Sequence, residues 1–206
     1  HHVAGILSGM YSLGGQPDHA MIEYRVRFDP LFEAITYHGV PDIRIIVYKG
    51  YPVMAMARLP TRGSGGKANL HQGAVGAGID LATGRTLGGT WRDRRIDVHP
   101  DTGNSIAGRT IPGWDGILGL AASCFELAGL GYLGVDIVLD ATRGPLILEL
   151  NARPGLGIQI ANGIGLRRGL DAVDHELAGR APPAVTERVA FARQRFGRPG
   201  DAARGG

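Results

Sequence analysis

Two strand-turn-strand patterns constrain this 206-residue chain more than anything else in it. Asp42–Tyr48 reads DIRIIVY, a β-branched run. Lys49-Gly50-Tyr51 supplies a turn and Pro52–Leu59 a second apolar run, so a hairpin is expected. Farther on, Tyr132–Asp140 (YLGVDIVLD) and Pro145–Asn151 (PLILELN) flank the turn Ala141-Thr142-Arg143-Gly144. Between the two hairpins, Trp114–Leu130 carries Ile117, Leu118, Ala121, Phe125 and Ala128 at helical spacing, ending at Gly129 or Gly131.

Composition narrows the class. The length suits one domain, or at most two small ones. Apolar residues at 44% suffice for a core, and with 20% charged residues the chain is not disordered throughout. Lysine and arginine exceed aspartate and glutamate by 22 − 19 = 3, too little to argue for nucleic acid. The 34 glycines follow no Gly-X-Y period, which excludes collagen and points to many turns and close backbone approaches to a ligand. The one cysteine, Cys124, has no internal disulfide partner and reads as a small buried hydrophobe. No apolar run approaches the roughly 18 residues of a membrane span, and no signal peptide is visible, so a reducing, cytoplasmic setting is expected. The chain opens on His1 rather than methionine, the mark of a processed product or a piece of something longer.

Elsewhere the pattern is looser. Val3–Leu13 reads as the end of a helix stopped by Gly14-Gly15, and Ala20–Val26 as a strand. Thr61–Gly78 reads as one long glycine-rich loop holding Lys67, Asn69 and His71, and Arg92–Pro112 as polar and irregular. Leu166–Leu177 suits a short helix. From Gly179 onward, Pro182-Pro183 and Arg188, Arg193, Arg195, Arg198 and Arg204 suggest a weakly packed helix and a disordered basic tail. The expected division is a body over 1–180 and a weakly structured tail over 181–206.

The chemistry concentrates in the second hairpin. A four-residue turn sets Asp140 opposite Pro145 and Asp136 opposite Glu149, with Asn151 two residues beyond on the same face. Two carboxylates directly opposed repel each other. A hard dication relieves that repulsion, and Mg²⁺ characteristically takes one or two carboxylates plus phosphates and waters. The plainer reading is an exposed polar face on an edge hairpin. Arg62–Ala68 is not a P-loop, because Gly-x-x-x-x-Gly-Lys-Ser/Thr is not met and no helix pattern follows. His71 and His99 lie in loops without a spaced partner and read as solvated or capping residues. Trp91 and Trp114 read as packing residues.

Glu149-Leu150-Asn151-Ala152-Arg153-Pro154-Gly155 resembles the C-terminal signature of the ATP-grasp superfamily, in which an acid, a spacer and an asparagine hold magnesium against ATP phosphates. Gly134-Val135-Asp136 resembles the strand carrying that superfamily's other acidic ligand. Asp42-Ile43-Arg44, Arg58 and Lys67-Ala68-Asn69-Leu70-His71 resemble the middle of the same fold. The nearest likeness is to the ribosomal-protein glutamate ligases and the α-L-glutamate ligase-like proteins, over roughly residues 21–162.

The resemblance implies an α+β ATP-grasp fold, an antiparallel sheet with flanking helices. It also implies an ATP- and magnesium-dependent ligase (manganese being an alternative metal) that joins a carboxylate to an amine through an acyl phosphate, with glutamate or a similar amino acid as the group added. Met21, Ile22, Glu23 and Tyr24 would form the hinge strand at the nucleoside, with Asp42, Lys67 and Asn69 also on the nucleotide. Arg44 and Arg58 would stabilise charge at the phosphates, and Asp136, Glu149 and Asn151 would hold the metal. Two departures are visible. Arg153 stands where the glutamate ligases more often have a small residue. The family's N-terminal domain and phosphate-binding lysine have no counterpart here, so an incomplete ligase is expected. The alternative is a non-catalytic nucleotide-binding or scaffold protein of the same fold. ATP, a carboxylate and an amine are the expected partners, with an oligomer possible and neither membrane nor nucleic acid expected.

Overall fold

A computed structural model describes residues 1–198. Its centre is a sheet of seven strands: β1 (Asp42–Tyr48), β2 (Tyr51–Leu59), β3 (Val75–Ile79), β4 (Thr86–Trp91), β5 (Arg94–Ile96), β6 (Tyr132–Asp140) and β7 (Gly144–Asn151). Every pairing is antiparallel, in the spatial order β5-β4-β3-β2-β1-β6-β7. The helices are α1 (His2–Leu7), α2 (Trp114–Ala128), α3 (Gly157–Asn162), α4 (Arg167–Leu177) and α5 (Val185–Phe196). Among the described residues no helix is long and apolar enough to cross a membrane.

Successive side chains on a strand point to opposite faces, and this period of two divides the sheet cleanly. Ile43, Ile45 and Val47 of β1 share one face with Ala55 and Ala57 of β2 and Val135 and Ile137 of β6. These pack on Ile117, Leu118 and Ala121 of α2. On the other face Ile46, Met54 and Met56 meet Ile158 and Ala161 of α3 and Val173 and Leu177 of α4. That second face changes character along its length. Toward the start of β1 it carries Asp42, Arg44, Arg58 and Asp136, all in the expected hairpins. Two apolar layers therefore hold the sheet, and one end of one face is left for polar chemistry.

Several elements differ from expectation. The stretch read as one loop from 61 to 78 contains β3, whose Val-Gly-Ala-Gly-Ile lacks a strand-like look because α3 lies on it. A Cβ at Gly78 would come within 2.7 Å of the Ala161 carbonyl oxygen, so no larger residue fits. The expected strand Ala20–Val26 has no regular structure. β1 pairs with β6 only as far as Ile137, so a short end of that edge is all the ladder β1 leaves to the chain. Only its end reaches the sheet: Phe28 bridges Asp140, and Asp29 N–H donates to Leu139 O at 2.9 Å. The tail expected to be weakly structured instead forms α5, which buries Val189 and Ala192 and sets Phe191 edge-on to Tyr51, ring centres 5.4 Å apart. Burial of one apolar stripe outweighs the polar look of its arginines. Arg204 and the expected disordered end lie outside the described residues.

Candidate functional site

Asp42 and Arg44, two apart on β1, point to the same face. The sheet register then puts Arg58 of β2 opposite Asp42 and Asp136 of β6 opposite Arg44. Each facing pair is joined by two parallel hydrogen bonds. Arg44 donates from Nε to Asp136 Oδ1 at 2.7 Å and from Nη2 to Oδ2 at 2.6 Å. Arg58 donates from Nε and Nη2 to the two Asp42 oxygens at 2.6 and 2.7 Å. The Nη2 of Arg58 also reaches Asp136 Oδ2 at 2.6 Å, linking both pairs into one network. Asp136 is 1% exposed and Asp42 5%. Paired guanidiniums are what make such burial tolerable.

The β6–β7 hairpin brings in the rest. Its turn is tighter than expected. Asp140 faces Gly144, not Pro145, because its carboxylate accepts the backbone N–H groups of Arg27, Thr142 and Arg143 and the Thr142 hydroxyl. Those bonds, led by that from Arg27, hold the Asp140 carboxyl well below the usual range. A bulge between Asp136 and Ile137 then restores the expected facing of Asp136 with Glu149. Asn151 Nδ2 donates to Glu149 Oε1 at 2.9 Å and to Asp136 Oδ2 at 3.3 Å. Glu149 is mostly exposed, and Arg44 Nη2 stands 3.9 Å from its Oε1.

The two buried acids titrate in opposite directions. Burial pushes Asp136 up, but the hydrogen bond from Arg44 and the charges of Arg58 and Arg44 outweigh it, so its carboxyl stays below the usual carboxylate range. For Asp42 burial wins over Arg58, helped by the nearby negative charge of Asp136, and its pKa is pushed up to about 6. Among the described residues no three His, Cys, Asp or Glu side chains converge on one point. The oxygen donors here are two carboxylates and an amide, a set suited to a hard cation that keeps waters or phosphates.

The other expected site residues are scattered. Lys67 is exposed. Asn69 spends its side-chain oxygen on His71 N–H at 2.9 Å, capping a 3-10 turn over Leu70–Gln72. That turn nevertheless lies beside the hairpin's exit: a Cβ at Gly157 would sit 3.0 Å from Leu70 Cδ2, and one at Gly155 3.8 Å from His71 Nε2. Met21 and Ile22 are exposed, and Tyr24 lies under Arg143 of the β6–β7 turn, 3.9 Å from guanidinium carbon to ring centre. Met21, Ile22, Glu23 and Tyr24 therefore do not form the expected strand. The chain just after them supplies a different wall: Arg25, Val26 and Phe28 line a cleft of about 360 Å³ with Gly39, Val40, Val138 and Leu148. Sequence reasoning missed this cleft, although Val138, two residues past Asp136 on β6, must share its face. His99, read as solvated or capping, is fully buried with Nε2 3.0 Å from Pro60 O.

This antiparallel α+β sheet, with acids, arginines and an amide gathered on one face, has the form of an ATP-grasp fold. Residues 1–175 match the sugar-transfer associated ATP-grasp family, and the chain belongs to that family. It is similar to a probable alpha-L-glutamate ligase of Teredinibacter turnerae, 31% identical over 132 residues that cover 64% of this chain and 33% of the relative. To the probable alpha-L-glutamate ligase of Parasynechococcus marenigrum it is 27% identical over 168 residues, covering 81% of this chain and 26% of the relative. Among solved structures it is similar to the ATP-grasp ligase PsnB complexed with precursor peptide PsnA2 and AMPPNP, at TM-score 0.35 and 17% identity, over 69% of this chain and 34% of that one. The chain spans about a quarter to a third of the length of these relatives.

Proposed function

We propose that this chain forms part of an ATP- and magnesium-dependent ligase that joins a carboxylate to an amine through an acyl phosphate. The observation that carries this reading is the convergence of Asp136, Glu149 and Asn151 with Arg44 and Arg58 on one sheet face, beside an apolar cleft. Glu149, Asn151 and Asp136 would hold Mg²⁺ or Mn²⁺, which supplies charge neutralisation for phosphate oxygens. Asn151 fits that task once its amide turns to present oxygen, since its nitrogen now faces both acids. Among the described residues the Nη1 of Arg44 and of Arg58 hydrogen-bonds to no acid, so each guanidinium keeps donors for negative charge as it shifts. The cleft walled by Val26, Phe28, Val138 and Leu148 would take the base. The relatives' name supports glutamate or a similar amino acid as the amine.

One observation favours the non-catalytic alternative, a nucleotide-binding scaffold: both oxygens of Asp136 are already held by guanidiniums. Glu149→Gln in the full-length protein separates the readings, because shape is kept while a charge is lost. Calorimetry with ATP and magnesium is expected to show binding weakened about tenfold, on the scale of one charge-assisted contact. Phosphate release with carboxylates and amines is expected to fall with it. Unchanged binding and turnover overturn the metal assignment, while tight ATP binding without turnover supports the scaffold.

A further inference from the structure

The glycine-rich segment from 61 to 66 is less loose than its composition suggests. Thr61 and Ser64 exchange hydrogen bonds: Thr61 N–H donates to Ser64 Oγ and Ser64 N–H to Thr61 Oγ1, both at 3.0 Å. Thr61 Oγ1 also donates to Gly73 O at 2.8 Å, which ties the segment to the Asn69 turn. An arginine of this fixed loop and a second arginine beside it are each laid on an aromatic ring. The Arg62 guanidinium carbon is 5.0 Å from the centre of Tyr37, and that of Arg92 is 4.6 Å from the centre of Trp91. The Trp91 ring is itself fixed, its Nε1–H donating to Gly73 O at 2.8 Å.

Arg92 is held there by an unusual turn. Arg92 and Asp93 join β4 to β5 with φ of +49° and +61°, a left-handed pair that Asn-Gly adopts with little strain and Arg-Asp does not. The Arg92 Nη2 comes within 3.8 Å of where a Gly63 Cβ would be, which sets it against the loop at the residue after Arg62. Among the described residues neither guanidinium lies within 4 Å of a carboxylate, and both are exposed. Ring-backed guanidiniums lose little freedom when an anion docks, and their planar forks match carboxylate and phosphate oxygens. The position is also apt. The same loop continues through Asn69 and His71 to lie against Gly155 and Gly157, just past the Glu149–Asn151 strand end.

We propose that Arg62 and Arg92 form a clamp for an oxyanion, the carboxylate or phosphate group of the second substrate, at the rim of the nucleotide site. The assignment of that oxyanion to a substrate rests on the ligase reading above; the clamp as an anion site does not. The test uses arginine Nε–Hε resonances of the full-length protein during titration with inorganic phosphate and, separately, with glutarate. Both the Arg62 and Arg92 signals are expected to shift saturably, and the tighter of the two probes identifies the group. The R62Q/R92Q variant is expected to weaken that probe's binding about tenfold or more. Arg168→Gln, an exposed arginine on α4, is expected to change nothing. Signals that do not saturate, or an equal loss in Arg168→Gln, overturn the clamp. A parallel titration with ATP and magnesium keeps the two readings apart. If nucleotide binds while neither signal moves, the clamp alone falls. If the clamp titrates while nucleotide does not bind, the ligase reading falls and the clamp stands as an anion site.

Discussion

Arg44 and Arg188 are both buried against this sheet, yet their surroundings are opposite. Arg44 meets its acid directly across the strand, with Arg58 closing the network from the other side. Arg188 of α5 is 1% exposed and rests on Gly50, whose φ of +84° and missing side chain make the space. It donates from Nη2 to Glu126 Oε1 at 2.5 Å, while its buried Nε and Nη1 have no partner among the described residues. Glu126 itself is half exposed. Strand register supplies several partners at fixed spacing, whereas a helix packed on a turn supplies one. A satisfied network is rigid and ready for charge; a half-satisfied arginine is held in place by packing around it.

The strongest way to break this contrast is Asp136→Asn. It removes the charge shared by Arg44 and Arg58 and leaves two buried cations short of partners, so a loss of about 3–5 kcal/mol is expected in urea unfolding. A loss below about 1 kcal/mol would show that the guanidiniums simply turn to water.

Replacing each arginine by methionine sharpens it. Arg44→Met strips a partner from a buried acid and is expected to lose about 3 kcal/mol. Arg188→Met removes two unpaired donors along with one ion pair, and Glu126 can turn to solvent, so stability within about 1 kcal/mol of the wild type is expected. Equal losses in the two variants would erase the distinction.

The pH dependence probes the network from within. Asp42 has a folded pKa of about 6 against an ordinary 3.8, so the folded state holds the proton more tightly. Its contribution is fully present below the unfolded value and is lost as pH rises through the folded one, by about 1 kcal/mol between pH 5 and 7. His99 acts oppositely: burial lowers its pKa from 6.5, so its contribution is present above 6.5 and is lost as pH falls below it. Asp42→Asn leaves His99 untouched and is expected to remove the first trend only, read as the urea midpoint across pH. Parallel curves for variant and wild type would mean that Arg58 keeps Asp42 ionised.

The smallest effect is expected at the network's exposed corner. Glu149→Gln should alter stability by no more than about 0.5 kcal/mol, because water already solvates that side chain. A large loss would place Glu149 inside the structural network rather than at its functional edge.

What the sequence by itself determined is local. The Asp42–Leu59 and Tyr132–Asn151 hairpins and the Trp114–Ala128 helix follow from period and turn residues, and the shared face of Glu149 and Asn151 follows from strand geometry alone. The facing of Asp136 with Glu149 was legible too, but its mechanism was not: a tighter turn and a compensating bulge reach the pairing that a four-residue turn anticipates. Only the tertiary structure decided that Arg44 meets Asp136, 92 residues away, and that Arg58 joins them. Those pairings depend on strand order, which no single hairpin encodes. The same holds for β3, whose glycines make sense once α3 lies on them, and for α5, whose arginine-rich surface conceals an apolar stripe until α2 and β2 cover it. Local patterns act through neighbouring residues along the chain; strand order, burial and charge pairing act through contacts that exist only after the chain has closed on itself.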